Sequence, residues 1–206
     1  FFPFVKSCVK KKNYDLVFDL GCGNGFFLNE IKKINSKIKV CGSDLSQKAL
    51  GEAKKKLGKN TKFYKCDAHK VSKWARWLSR IFKDLENKKL LITIWFIIHE
   101  ISKKSPLRII NFLKKINHML PNSDLVIGEI IKPEYDLMKK NKYNSIMPEY
   151  MLFHNLSGQG VLSYKEFLYI LKNIPYNLTL KKNFDNVKHK DKISPSAIAW
   201  LLTPKK

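Results

Sequence analysis

Long apolar runs are missing from this 206-residue sequence. The longest, Leu90 to Ile98, has the length of a strand and falls well short of a bilayer-spanning helix. Arginine is scarce, occurring only at Arg76, Arg80 and Arg108, so the net charge of +23 is carried by lysines spread through nearly every segment. The guanidinium is the usual bidentate partner of phosphates and base edges, so this pattern reads first as a solvated Lys-rich surface. Cysteine is limited to Cys8, Cys22, Cys41 and Cys66 with no CxxC pair, for which free thiols in a reducing cytoplasm are the simpler account. Glycine and proline, 9 and 8 residues, are too few for a collagen-like or low-complexity chain. The opening Phe1-Phe2-Pro3-Phe4-Val5 has no basic stretch before it and is not a signal peptide. No helical pattern is read there, and the chain reads as a single domain over 1–206 that lacks an N-terminal segment of a longer protein.

What is present is alternation. Apolar runs of strand length occur at Leu16–Leu20, Lys39–Ser43, Lys62–Lys65, Leu90–Phe96 and Asp124–Glu129. Between them, 25–35, 46–57, 71–85 and 103–120 carry helical spacing. This is the pattern of a parallel sheet covered on both faces, a doubly wound α/β fold. Ser46 fits an N-cap and Pro106 a first helical turn. Residues 132–164 read as an irregular insertion with one short helix, placed to wall a substrate site. A helix from Tyr164 to Asn173 and two strands, Asn177–Lys181 and Ala197–Leu202, close the chain around a polar Lys/Asp loop.

The chemistry gathers at the strand ends. Strand 1 runs into Asp19-Leu20-Gly21-Cys22-Gly23-Asn24-Gly25 and then a helix, a turn in which backbone comes close to a ligand at a helix N-terminus. Phe26 stands where a dinucleotide fingerprint needs its third glycine, and no Lys-Ser/Thr pair follows as in a phosphate-cradling loop. Each of the five strands carries a carboxylate at or just beyond its carboxyl end: Asp19, Asp44, Asp67, Glu100 and Glu129. Ligands of such sheets bind at that edge. An acid-lined crevice suits a cationic ligand and not the phosphates of NAD or ATP.

Three stretches, Asp19 to Gly25, Gly42-Ser43-Asp44-Leu45-Ser46 and Lys65-Cys66-Asp67-Ala68, resemble the first three motifs of class I S-adenosylmethionine-dependent methyltransferases. The resemblance runs from Tyr14 to Trp200-Leu201-Leu202 and implies a mostly parallel seven-stranded sheet with an antiparallel last strand. It implies S-adenosylmethionine as cofactor. Asp19 and the Gly21-Cys22-Gly23 turn would border its methionine part, Asp44 would hold the ribose hydroxyls, and Leu45 would lie against the adenine. Asp67 would face the adenine amino group with Ala68 beside it, and Ile94-Trp95-Phe96 would floor the pocket near the methyl group.

The acceptor is less specified. No Asp/Asn-Pro-Pro-Tyr follows strand 4, against adenine-N6 chemistry, and no cysteine lies there to attack a pyrimidine. His99 and Glu100 follow that strand, and His154 lies in the insertion. The pairing of Trp-Phe-x-x-His-Glu with Leu-Phe-His-x-Leu-x-x-Gln resembles a subgroup that methylates carbon beside a keto group. That resemblance implies a divalent or ferric metal held by His99 and His154. A general base, a substrate hydrogen bond, and two buried structural histidines stand beside it as readings. A small-molecule acceptor is expected. The alternatives are an RNA methyltransferase using the Lys-rich face and a non-catalytic binding module. No membrane partner is expected, and the sequence specifies no oligomeric state.

Overall fold

The computed structural model describes residues 1–133, 147–184, 187–189 and 192–205. Its helices are α1 (Phe2–Lys12), α2 (Phe26–Ile34), α3 (Gln47–Leu57), α4 (Val71–Ile81), α5 (Ile98–Ser102), α6 (Pro106–Met119), α7 (Met147–Leu156) and α8 (Tyr164–Lys172). The strands are β1 (Leu16–Leu20), β2 (Lys39–Asp44), β3 (Lys62–Lys65), β4 (Leu90–Trp95), β5 (Asp124–Ile130), β6 (Tyr176–Phe184), β7 (Val187–His189), β8 (Lys192–Ser194) and β9 (Ala197–Pro204). Seven of them form one sheet in the order β3-β2-β1-β4-β5-β9-β6. The first five are mutually parallel, and β9 is antiparallel to both β5 and β6. The expected doubly wound α/β plan, with its antiparallel final strand, is therefore observed.

Both faces of the sheet are covered, which is why β1 is buried at every position. On one face Phe18, Ile92, Ile127 and Trp200 pack against Trp74 and Leu78 of α4, Ile109 and Leu113 of α6, and Phe167 of α8. On the other, Val17, Leu91, Val126 and Leu201 pack against Phe4 and Val5 of α1 and Leu28 and Ile31 of α2.

Several boundaries differ from the expectation. A helix does precede the first strand: Phe4, Val5, Cys8 and Val9 form its buried stripe, and Pro3 occupies its first turn, where a missing N–H costs nothing. The helix expected over 103–120 is observed as α6, starting three residues later at Pro106 and ending at Met119. The α-turns of α5 end in left-handed Lys103 and Lys104, and α6 starts afresh at Pro106 because the residue before a proline avoids the α region. The helix from Val71 stops at Ile81, and the apolar spacing continues through buried Leu85 in a short 3₁₀ turn, Leu85–Asn87. Edge strand β6 is longer than expected, with a bulge between Leu178 and Leu180, and the polar loop after it holds the small β7–β8 ribbon. Of the expected insertion, 134–146 lies outside the described residues, while α7 occupies Met147–Leu156. Ser46 caps α3 by accepting from the Ala49 N–H at 3.2 Å. Among the described residues no helix is long and apolar enough to cross a membrane.

β4 and β5 meet with Trp95 opposite Gly128, and the indole lies over the space a side chain there would fill. A Cβ at Gly128 would stand 2.0 Å from the Trp95 ring. Gly128→Ala is thus expected to destabilise the protein by about 1–3 kcal/mol through overpacking, measured by chemical denaturation. An unchanged unfolding midpoint would contradict this packing.

Candidate functional site

The turn after β1 is strapped to the end of β2. The N–H groups of Gly21 and Cys22 both donate to the Ser43 carbonyl, at 2.8 and 2.9 Å. Gly21 holds φ 75°, and a Cβ there would come within 2.3 Å of Ile97 Cδ1, so only glycine fits. Asp44 completes the strap. Its Oδ2 accepts from the Gly23 N–H at 2.9 Å and its Oδ1 from the Ser46 N–H at 2.8 Å. The carboxylate that the sequence assigns to a ligand's hydroxyls also fixes the glycine turn.

An open cleft of about 420 Å³ lies at this edge, in the size range of small-ligand sites. Gly21, Asp44 and Leu45 line it on one side, Asp67 and Ala68 on another, and Trp95, Phe96, Ile97 and Glu100 on a third. Leu45 is 61% exposed, an apolar wall open to a flat group. Trp95 turns the rest of its ring away, against Phe1 and Phe27 at 5.6 and 5.3 Å between centroids, and its Nε1 is buried without a partner. Phe96 sits in the left-handed region at φ 53°, an unusual conformation for a side chain of its size.

Asp19 and Cys22 do not line the cleft; they stand behind it. Cys22 is buried, with its side chain against Gly42 and its thiol pushed up by burial, so it offers the loop its main chain. Asp19 is 2% exposed and accepts from the Thr93 hydroxyl at 2.7 Å. Burial pushes its carboxyl up to about 7; the Thr93 hydrogen bond opposes this and the Asp44 charge adds to it.

Two further residues come into view only in the structure. Thr93 is the single polar side chain of β4, Leu-Leu-Ile-Thr-Ile-Trp, which was the available signal. His69 joins the cleft wall two residues after Asp67, whose Oδ1 accepts from the His69 N–H and faces its Nδ1, both at 2.9 Å. Partial burial pushes the Asp67 carboxyl up, but the His69 hydrogen bonds and the nearby positive charges outweigh it and leave it below the usual range.

His99 and His154 come together, their rings perpendicular and 4.7 Å apart. Both are buried, whereas Glu100 is exposed on the cleft wall. Glu129 is 1% exposed and receives three N–H groups: His99 Nδ1 at 3.1 Å, the His99 main chain at 3.2 Å and the Ile130 main chain at 2.9 Å. Burial alone would lower the His99 pKa, but the hydrogen bond and charge of Glu129, with Glu100 adding, raise it overall. His154 Nδ1 donates to the Tyr150 carbonyl at 2.7 Å, and the Tyr150 ring lies 3.8 Å from its own. The loop after α7 docks on α5 through Gly160 N–H to the His99 carbonyl at 2.8 Å. Among the described residues no group of three or more His, Cys, Asp or Glu is arranged to hold a metal. The two expected metal ligands are thus adjacent, and among the described residues no further side chain of these types completes a set of three around them.

A family model described as a methyltransferase domain matches residues 11–173. The fold is similar to that of many solved structures. The methyltransferase domain of bacterial CtHen1-CN is 16% identical at TM-score 0.63, over 98% of this chain and 96% of that one. An S-adenosylmethionine-dependent methyltransferase from Methanosarcina mazei is 14% identical at TM-score 0.63, over 100% and 98%. The plantazolicin methyltransferase BamL, in complex with a triazolic desmethyl-plantazolicin analogue and S-adenosylhomocysteine, is 18% identical at TM-score 0.62, over 100% and 83%. No curated protein matches the sequence.

The Glu129–His99 pair has a direct spectroscopic consequence. With Glu129 ionised beside it, the His99 imidazolium persists to higher pH than an ordinary histidine; in Glu129→Gln its midpoint is expected to move down. Titration of the His99 ring protons by NMR measures both midpoints. Identical curves would mean that the carboxylate does not govern the ring.

Proposed function

The chain belongs to the methyltransferase-domain family, and on that premise we propose that it transfers a methyl group from S-adenosylmethionine to a small-molecule acceptor. The observation that carries this reading is the acidity of the cleft. Asp44, Asp67 and Glu100 converge on it in a chain of net charge +23, so the one strongly cationic protein presents acids where a ligand would sit. S-adenosylmethionine, with its sulfonium and ammonium groups, matches that charge and supplies an electrophilic methyl group when bound.

The residues divide by position. Asp44 offers its remaining lone pairs to a pair of vicinal hydroxyls while holding the glycine turn. Leu45 and Ala68 give apolar walls for a flat base, and Asp67 an acceptor for its amino group. Trp95, Phe96 and Ile97 floor the end nearest Glu100. On the acceptor side stand Glu100, His99 and His154, with α7 bringing Tyr150 and His154 to His99. The enzyme's task there is alignment of a nucleophile and removal of its proton, which is work for hydrogen-bonding side chains. The similar structure with S-adenosylhomocysteine and a desmethyl analogue supports a small acceptor.

Calorimetric titration with S-adenosylhomocysteine tests the donor half of the proposal. Micromolar binding is expected, weakened in Asp44→Ala by about 1.5–3 kcal/mol as charge-assisted hydrogen bonds are lost. An unchanged affinity in the folded variant would remove Asp44 from the donor site. The acceptor half is tested with RNA. Tight binding that falls steeply with salt would overturn the small-molecule reading in favour of an RNA substrate on the lysine surface.

A further inference from the structure

Asp19 is a buried acid, and among the described residues no basic side chain pairs with it. Thr93, in register with it on β4 and fully buried, donates to its Oδ1 at 2.7 Å, with the Phe18 carbonyl a more distant acceptor at 3.5 Å. From this pairing we infer that Thr93 is a positioning residue for donor capture: its hydroxyl holds the Asp19 carboxyl behind the glycine turn, so that binding of the cationic donor releases one proton from this pair. The inference rests on the donor reading above and deepens it.

The groups around Asp19 leave its charge uncompensated. From β2 comes Asp44, a like charge. The thiols of Cys22 and Cys41 face it as well, and burial keeps both protonated. β4 contributes the neutral Thr93. The charged residues of α2 are occupied elsewhere: Glu30 pairs with Lys33 at 2.5 Å, and Lys32 donates to the carbonyls of Ser36 and Ile38. A carboxyl so placed holds its proton more tightly than an exposed one while the site is empty, and gives it up more readily once a cation arrives at the turn. On binding, the Asp19 O–H bond breaks, its electrons stay on the carboxylate and the proton passes to solvent; no bond in the ligand changes. Affinity must then rise with pH until the empty-site carboxyl is already ionised. Thr93 sets where that happens, because its donated hydrogen bond favours the carboxylate. An acid that merely packs behind the turn would exchange no proton.

The test is calorimetric titration of the whole chain with S-adenosylmethionine at pH 6 and pH 8, in buffers of different ionisation heat. Release close to one proton at pH 6 is expected, with affinity about tenfold higher at pH 8. Thr93→Val should weaken binding at pH 7 and move the pH midpoint of affinity upward, and Thr93→Ser should restore both. A purely structural threonine would shift the melting temperature and leave that midpoint in place. Binding without proton exchange and with equal affinity at the two pH values would overturn the inference, as would equal midpoints for the valine and serine variants. If the valine variant does not fold, the proton count of the unaltered chain decides. A folded chain that binds nothing between pH 6 and 9 would instead overturn the donor reading itself.

Discussion

Two peptide N–H groups, from Gly21 and Cys22, end on one carbonyl, that of Ser43, and the rest of the site depends on this strap. It uses both lone pairs of the oxygen and so fixes the turn after β1 relative to the end of β2. With the turn fixed, the Gly23 N–H meets the Asp44 carboxylate, and the same carboxylate caps the start of the next segment through Ser46. The absence of a side chain at Gly21 leaves room for Ile97, which belongs to the segment after β4. One short turn thereby sets the spacing of three strand ends, and the cleft is the gap among them. The sheet below is buried on both faces and gives this edge a rigid base.

The acids at that edge are one residue class in several environments, and environment decides what each can do. Asp44 takes two main-chain N–H groups and is a ready acceptor on the cleft wall. Asp67 is held low by His69. Asp19 is walled in with a hydroxyl only, and its burial raises it. Glu129 is equally buried but receives three N–H groups, one of them from the His99 imidazole, whose pKa it raises. The cleft's negative field therefore comes from Asp44, Asp67 and Glu100. Asp19 and Glu129 stand behind it, one under the glycine turn and one beside His99. No lysine lines the cleft among the described residues.

How much of this was legible in the sequence follows from what each feature depends on. Strands β1, β4 and β5 are continuous apolar runs because both their faces are covered, and such runs are visible without a structure. The glycine turn and Asp44 were equally visible, since both lie at strand ends and their roles come from local backbone. Helix α1 was not seen, because Phe1-Phe2-Pro3 looks like a breaker until Pro3 is placed in the first turn. The start of α6 was read three residues early, because the left-handed backbone at Lys103 and Lys104 leaves no local pattern. The pair Thr93–Asp19 depends on the register of β4 on β1, and His99–Glu129 on how α5 docks at the end of β5, between residues 74 and 30 apart in sequence. No local pattern encodes such register. A polar residue in the middle of an apolar strand was the only trace, and it did not name its partner.

The histidine pair shows how hydrogen bonding limits chemistry. Each ring has its Nδ1 committed, His99 to Glu129 and His154 to the Tyr150 carbonyl, so each offers Nε2 alone. A metal at this place would start with two nitrogen ligands and need at least one more. Glu129 is the acid in contact with His99, yet recruiting it would leave the His99 and Ile130 N–H groups unpaired in a buried setting. Each such loss costs about 1–3 kcal/mol. The arrangement as it stands loses nothing: Glu129 fixes the tilt of His99 through Nδ1, and the Tyr150 carbonyl fixes that of His154. Under the proposed function, a pair held in this way would orient an acceptor through the two Nε2 positions with the residues already in place.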